Sequence, residues 1–374
     1  MSVSVAVLGI HGFGRFHLQA LASLEADGLA QVIGVADPRG RDGVEHLRPD
    51  VPCFSSLDQL LQHRVPDVVV IATPIHTHAD LAIRALQAGS HVFLEKPTTS
   101  SLAAFNDVVN AASSAGKAVQ VGFQSFGSQA IPAIGQILQG GEIGELTGIA
   151  GVGTWSRDRA YYHRSAWAGR RVMQGVWVVD GVVTNPLAHC VATALLADGS
   201  TRVEDVVDVE VDLYRAHDIE ADDTSSVRVR THRGTSLTFG LTLCAPEHTE
   251  PEIIVQGTAG TIRVGYTRDL MTITSEGERT IGFERTCLIR NLIEHINDPA
   301  VALLAGIEDT GAFMRVLEAV RTAPAPAPVN DDYVRWVGEG DTAHPVIEDI
   351  RAWCLRVATE HRLFRELGAP WIRS

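Results

Sequence analysis

Val3-Ser4-Val5-Ala6-Val7-Leu8-Gly9-Ile10-His11-Gly12-Phe13-Gly14-Arg15-Phe16-His17 is the stretch that decides the fold. The β-branched run Val3 to Leu8 reads as a strand, and Leu18 and Leu21 continue beyond it at helical spacing. A strand that passes into a helix through glycines can turn tightly, let its backbone approach a pyrophosphate and aim a helix N-terminus at the negative charge. Gly9 and Gly14 stand where the first and third glycines of such a turn belong. His11 takes the second position, Gly12 follows one residue later, and Phe13 completes the turn. On this motif alone a plain strand-to-helix turn is the competing reading.

The next strand-like run, Val32 to Ala36, ends at Asp37. An acidic side chain there can accept hydrogen bonds from the ribose hydroxyls of NAD, while Arg39 can pair with a 2′-phosphate and keeps NADP open. Asp37 ahead of Pro38 also fits a simple turn start. The alternation continues with a strand at Val68 to Ala72, a helix at Ala79 to Ala88 and a strand at His91 to Leu94. A helix at Leu102 to Ala115 and a strand at Ala118 to Val121 complete it. This predicts an α/β Rossmann domain with a parallel sheet over residues 1–121.

After Gly122 the pattern changes. A helix at Ile131 to Leu138 precedes strand-like runs at Leu146 to Val152, Val206 to Tyr214, Ser226 to Arg230, Ser236 to Leu243, Glu252 to Val255, Thr261 to Val264 and Met271 to Thr274. Turn formers such as Gly234, Gly257 and Gly260 separate them. The expectation is an α+β domain over 122–330 with a large open, mainly antiparallel sheet. Ala323 to Pro328 reads as a stiff connector, and 331–374 as a helical segment, with a helix at about His344 to Leu367, packing back on the body.

Two domains also suit a chain of 374 residues with 45% hydrophobic residues. The net charge of −14, without a Lys/Arg cluster, speaks against nucleic acid, and no apolar run is long enough to span a membrane. The five cysteines are scattered with no zinc-ligand spacing, so no metal is expected. Their odd number, and a chain that starts directly with a strand rather than a signal segment, favour the cytoplasm.

Two further segments carry a family resemblance: Ala72-Thr73-Pro74-Ile75-His76-Thr77-His78, and Glu95-Lys96-Pro97. Together with Val121-Gly122-Phe123, Gly141-Glu142-Ile143-Gly144-Glu145 and Gly257-Thr258-Ala259-Gly260-Thr261, they resemble the glucose-fructose oxidoreductase / inositol dehydrogenase / MocA (Gfo/Idh/MocA) family. The resemblance implies an NAD(P)-dependent oxidoreductase acting on a sugar, sugar acid or cyclitol, and a homodimer or homotetramer formed through the outer face of the second sheet. It places Thr73, Pro74, His76 and His78 near the nicotinamide ribose and makes Glu95 and Lys96 part of the family signature.

Lys96 at the carboxyl edge of a parallel sheet can stabilise a developing alkoxide; the alternative is a solvated lysine beside Glu95. The family's Asp-x-x-x-His motif corresponds to Asn185-Pro186-Leu187-Ala188-His189. His189 is the candidate acid/base and Asn185 the orienting group, with a core histidine and a helix N-cap as the competing readings. Asparagine in place of aspartate cannot stabilise an imidazolium by charge; nearby Asp180 is a candidate substitute. Between the motifs, the aromatic and arginine-rich stretch from Trp155 to Arg171 offers Tyr162, Arg164 and Trp167 for sugar binding, or for packing. Two further functional readings stand beside the dehydrogenase: a glycoside hydrolase that retains NAD and acts by transient oxidation, and a non-catalytic nucleotide sensor.

Overall fold

The computed structural model describes residues 2–372 and divides into two units, one running to Gly127 and taking in Thr286–Thr310, the other Ser128–Arg285 with the chain from Gly311 onward. The first unit runs β1 (Val3–Leu8), α1 (Gly14–Ala26), β2 (Ala30–Ala36), β3 (Cys53–Phe54), α2 (Leu57–His63), β4 (Val68–Ile71), α3 (His78–Gln87), β5 (His91–Leu94), α4 (Leu102–Ala115) and β6 (Val119–Val121). The strand order is β3-β2-β1-β4-β5-β6, and every pairing is parallel. Val5, Val7, Val69, Val70, Val92, Phe93 and Leu94 are fully buried, as strands covered on both faces require. Each such side chain contributes roughly 1.5–3 kcal/mol of burial.

Helix starts follow local chemistry. Ser56 caps α2 by accepting from Gln59 N–H, Ser101 caps α4 by accepting from Ala104 N–H, and α4 ends at Gly116 in the left-handed region. β3, only two residues long, and α2 are not among the elements expected from the sequence. The expected boundaries also place 286–310 in the second domain. That segment instead returns to the first unit, where its helix Leu288–Asn297 is tied down by Gln120: the side-chain amide donates to Leu288 O and, at 2.6 Å, to Asn291 Oδ1.

In the second unit, α5 (Ala130–Gln139) precedes β7 (Leu146–Thr154), a central strand of a nine-stranded, mainly antiparallel sheet. From one edge the order is Glu278–Gly282, Leu270–Thr274, Thr261–Gly265, Glu252–Gly257, β7, Ser236–Thr242, Thr224–Thr231, Val206–Arg215 and Ala327–Pro328. The expected Ala-Pro connector thus ends as a short edge strand, where proline's missing N–H costs nothing.

The sheet is not open over its centre. Residues 344–367, expected as one helix, form the strand His344–Ile347 and the helices Ile350–Glu360 and Phe364–Leu367. Helix Ile350–Glu360 lies so close that a Cβ at Gly240 would stand 2.5 Å from Cys354 O. On the other face, a Cβ at Gly151 would stand 2.6 Å from Cys190 Sγ of helix Ala188–Asp198. Glycines on both faces of these strands admit a helix on each side.

Candidate active site

In a doubly wound sheet, ligands bind beyond the carboxyl ends of the strands where the order reverses. That reversal lies between β1 and β4, so the turn Gly9–Gly14 and the loop 72–78 sit side by side there, with 95–97 one strand further on. The turn is glycine-dependent at two points. Gly9 has φ +79° and a Cβ on it would meet Ala72 O at 2.5 Å; a Cβ on Gly14 would meet Gly9 O at 1.8 Å. His11 does not spoil the turn, because its Nε2 lies 3.0 Å from Gly40 O and the ring braces the loop after β2. Gly12 (φ +67°) completes the bend, while the Phe13 ring is exposed and packs on Phe16 at 5.2 Å.

Asp37 is buried and accepts from Ile10 N–H, which couples the end of β2 to the turn. Burial alone would raise its pKa, but hydrogen bonds from Arg39, at 3.0 and 3.1 Å from the guanidinium, outweigh that and hold it below the usual carboxylate range. Arg39 is therefore folded onto Asp37 rather than standing apart from it.

The loop 72–78 is self-supporting: Pro74 O accepts from Thr77 N–H and Oγ1, and the Thr73 and Thr77 hydroxyls are 2.7 Å apart. His76 is half-buried, burial lowers its pKa, and its Nδ1 has no hydrogen-bond partner among the described residues. His78 behaves differently from the expectation of a cofactor contact. It is buried, with Nδ1 3.0 Å from Pro97 O and Nε2 2.9 Å from Thr73 O, so it clasps the loops 73–78 and 95–97 together. Glu95 is buried as well, its Oε1 2.7 Å from His17 Nε2 and its Oε2 accepting from Lys96 N–H. The partnership of Glu95 with His17 of α1 was not legible in the sequence, since 78 residues separate them.

The turn, the helix N-terminus behind it, buried Asp37 and the unpartnered His76 nitrogen together fit a dinucleotide. The backbone at Gly9–Gly14 would face the pyrophosphate, Asp37 the ribose, and the loops at 73–76 and 95–97 the nicotinamide end.

In the second unit, helix Ala188–Asp198 starts after Asn185, not at it. Asn185 lies in the preceding turns, and the N-cap position is held by Leu187 rather than by Asn185. The Thr184 hydroxyl bonds within the turn, to Val179 O and Gly181. Asn185 Nδ2 donates to Asp180 Oδ1 at 2.6 Å. A carboxylate only accepts, which fixes the amide orientation. Asp180 is itself buried, accepting from Gly169 N–H at 2.8 Å. Asp180, the candidate substitute for the aspartate missing at 185, therefore stands one hydrogen bond from Asn185. Neighbouring Asp222 is buried against Gly181 and its pKa is raised to about 6 by burial.

The sugar-binding candidates separate. Arg164 lies over the Tyr161 ring at 3.7 Å and the Trp167 ring at 4.9 Å, and reaches Asp180 at 3.5 Å, an arrangement that packs these two residues against one another. Tyr162 lines an open groove of about 1260 Å³ with Arg170, Trp177, Arg215, Glu220 and Arg321. Neither Asn185 nor His189 lines that groove.

The chain belongs to the Gfo/Idh/MocA family. Residues 3–123 match the description "Oxidoreductase family, NAD-binding Rossmann fold" and residues 132–263 match "GFO/IDH/MocA C-terminal domain". Among curated relatives, inositol 2-dehydrogenase of Arthrobacter sp. (strain FB24) is 31% identical over 147 residues, 39% of this chain and 43% of that protein. The 2,7-anhydro-N-acetylneuraminate hydratase of Escherichia coli (strain K12) is 29% identical over 140 residues, 37% of each. The chain therefore matches less than half the length of these relatives. Among solved structures, levoglucosan dehydrogenase in complex with NADH and levoglucosan gives a TM-score of 0.71 at 18% identity, over 86% of this chain and 96% of that one. The WlbA dehydrogenase from Bordetella pertussis, in complex with NADH and UDP-GlcNAcA, gives 0.70 at 22%, over 86% and 95%. Both share the fold.

Among the described residues, no helix is long and apolar enough to cross a membrane.

Proposed function

We propose that the protein is an NAD-dependent dehydrogenase acting on a hydroxyl-bearing carbon of a sugar, sugar acid or cyclitol. The observation that carries this reading is the placement of Lys96 at the end of β5, on the same sheet edge as the glycine turn and in a loop clasped by His78 and Glu95. NAD, when bound, supplies the hydride acceptor. Lys96 polarises the reacting oxygen, and its ammonium favours the alkoxide over the alcohol. His189 takes up the hydroxyl proton, with Asn185 and buried Asp180 as the orienting and charge-bearing groups behind that exchange.

NAD is favoured over NADP because Asp37 is buried and ionised, and a 2′-phosphate beside it meets a negative charge that Arg39 already shares. Five free cysteines support a reducing, cytoplasmic setting. A homodimer or homotetramer fits the family resemblance.

The test is absorbance in the reduced-nicotinamide band while the protein and NAD, then NADP, meet cyclitols, aldoses, uronic acids and glycosides. Signal with NAD and one polyol, lost in His189→Ala, supports the proposal. The relative named as a hydratase favours one second reading, a retained cofactor with no net reduction. Conversion of a glycoside without accumulated NADH would replace the first reading with that one.

A further inference from the structure

The open groove of about 1260 Å³ lies wholly within the second unit, lined by the hairpin of strands Val172–Met173 and Val176–Trp177, the loop 215–220 and the end of helix Gly311–Thr322. On a chain of net charge −14, this groove is lined by four arginines and only two carboxylates, Asp218 and Glu220. Two of the arginines are neutralised in place: Arg170 pairs with Glu220 at 2.5 Å, and Arg321 with Glu318 at 2.5 Å. Those pairs hold the walls and contribute no excess charge.

Arg171 and Arg215 are different. Arg171 donates through Nη2 to the carbonyls of Val320, Arg321 and Ala323 at 2.8–3.1 Å, which ties the hairpin to the end of the helix. Carbonyls fix a guanidinium without cancelling its charge, and Nε and Nη1 have no acceptor among the described residues. Arg215 makes one long contact, Nη1 at 3.5 Å from His217 O, and has no carboxylate partner among the described residues. Asp218 is exposed and offsets one of these two charges at most. A guanidinium held by its surroundings, with N–H donors still unused, is preorganised for an oxyanion.

The groove offers more than charge. The Trp177 indole lines it, with the Arg321 guanidinium over the ring at 5.0 Å, and the volume far exceeds that of an inorganic ion. A flat apolar face beside unpaired guanidinium groups suits a ring that carries an acid. We propose that this groove binds an acidic sugar derivative, its phosphate or carboxylate held by Arg215 and Arg171 and its ring against Trp177. The groove also adjoins the Asn185 turn: Gly169, on its wall, donates its N–H to Asp180 at 2.8 Å, and Asp180 accepts from Asn185. An occupant therefore sits two hydrogen bonds from Asn185. Binding here does not depend on the chemistry proposed for Lys96 and His189, so the two can fail separately.

The experiment is calorimetric titration of the full chain, saturated with NAD so that the glycine turn is filled, with glucose 1-phosphate, with glucuronate and with neutral glucose. At least one of the acids is expected to bind, with glucose roughly tenfold weaker or more, and added salt should weaken the acid alone. Arg215→Gln should weaken the acid by roughly tenfold, while Arg351→Gln, at an exposed arginine outside the groove, changes nothing. Glu220→Gln should act in the opposite direction. It releases Arg170 for the ligand, and the glutamine oxygen still accepts from Arg171 N–H, so affinity rises severalfold. A gain cannot come from misfolding, so this variant decides if Arg215→Gln does not fold. If NAD does not bind, the same titration on the free chain separates the groove from the glycine turn through these two variants. Reduction of NAD by the bound acid marks it as the substrate; binding without reduction marks a separate effector. No binding of either acid, equal affinity for glucose, or an affinity indifferent to both variants overturns the site and leaves arginines that only hold the hairpin to the helix end.

Discussion

The two halves of the proposed chemistry are built differently. In the first unit the functional positions follow strand ends in order: Gly9–Gly14 after β1, Asp37 after β2, 73–78 after β4 and 95–97 after β5. In the second, Asn185 depends on Asp180 and Asp180 on Gly169, while His189 lies on the helix that follows. A parallel sheet delivers successive loops to one edge, so its site is contiguous in sequence. A mainly antiparallel sheet with long connections delivers its site by packing.

The largest break in this comparison should come from Lys96→Ala. Turnover is expected to fall by roughly 10²–10³-fold with NAD affinity nearly unchanged, as steady-state kinetics and calorimetry would read; near-normal turnover removes Lys96 from the chemistry. Gly14→Ala should instead act on binding. The added Cβ cannot coexist with Gly9 O at 1.8 Å, and NAD affinity should drop by roughly 10–100-fold in calorimetry. Unchanged affinity would mean that the turn does not hold the dinucleotide.

The second unit is sharpened by a swap. Asn185→Asp alone sets a second carboxylate against buried Asp180 and should cut turnover by about tenfold, while Asn185→Asp with Asp180→Asn restores the pairing and most of the rate. A double variant no better than the single one would show that the position of the charge, not its presence, matters.

The smallest effect concerns pH and tests only the scaffold of the first unit. His91 accepts from Ala118 N–H through Nδ1, and burial, aided by the charge of Lys117, lowers its pKa to about 4. Folding thus favours the neutral ring. The stability it contributes is present in full above pH 6.5 and is lost as pH falls toward 4. Thermal unfolding should show that decline in the unaltered protein and a flatter profile in His91→Asn.

The sequence by itself determined the strand–helix alternation of a parallel sheet, the glycine turn and the positions of Asp37 and Lys96 at strand ends, because these rest on backbone conformations and periodicities that are local in the chain. Strands such as Val3–Leu8 and His91–Leu94 were legible to the residue for the same reason. Only the tertiary structure decided that His78 clasps two loops, that His17 holds Glu95, that Asp180 stands behind Asn185 and that a C-terminal helix covers a sheet read as open. It also set Arg171 and Arg215 on the wall of one groove. Apart from Asp180 and Asn185, which lie five positions apart, each of these is a pairing between residues on separate segments, and which partners meet is set by packing and burial rather than by spacing along the chain.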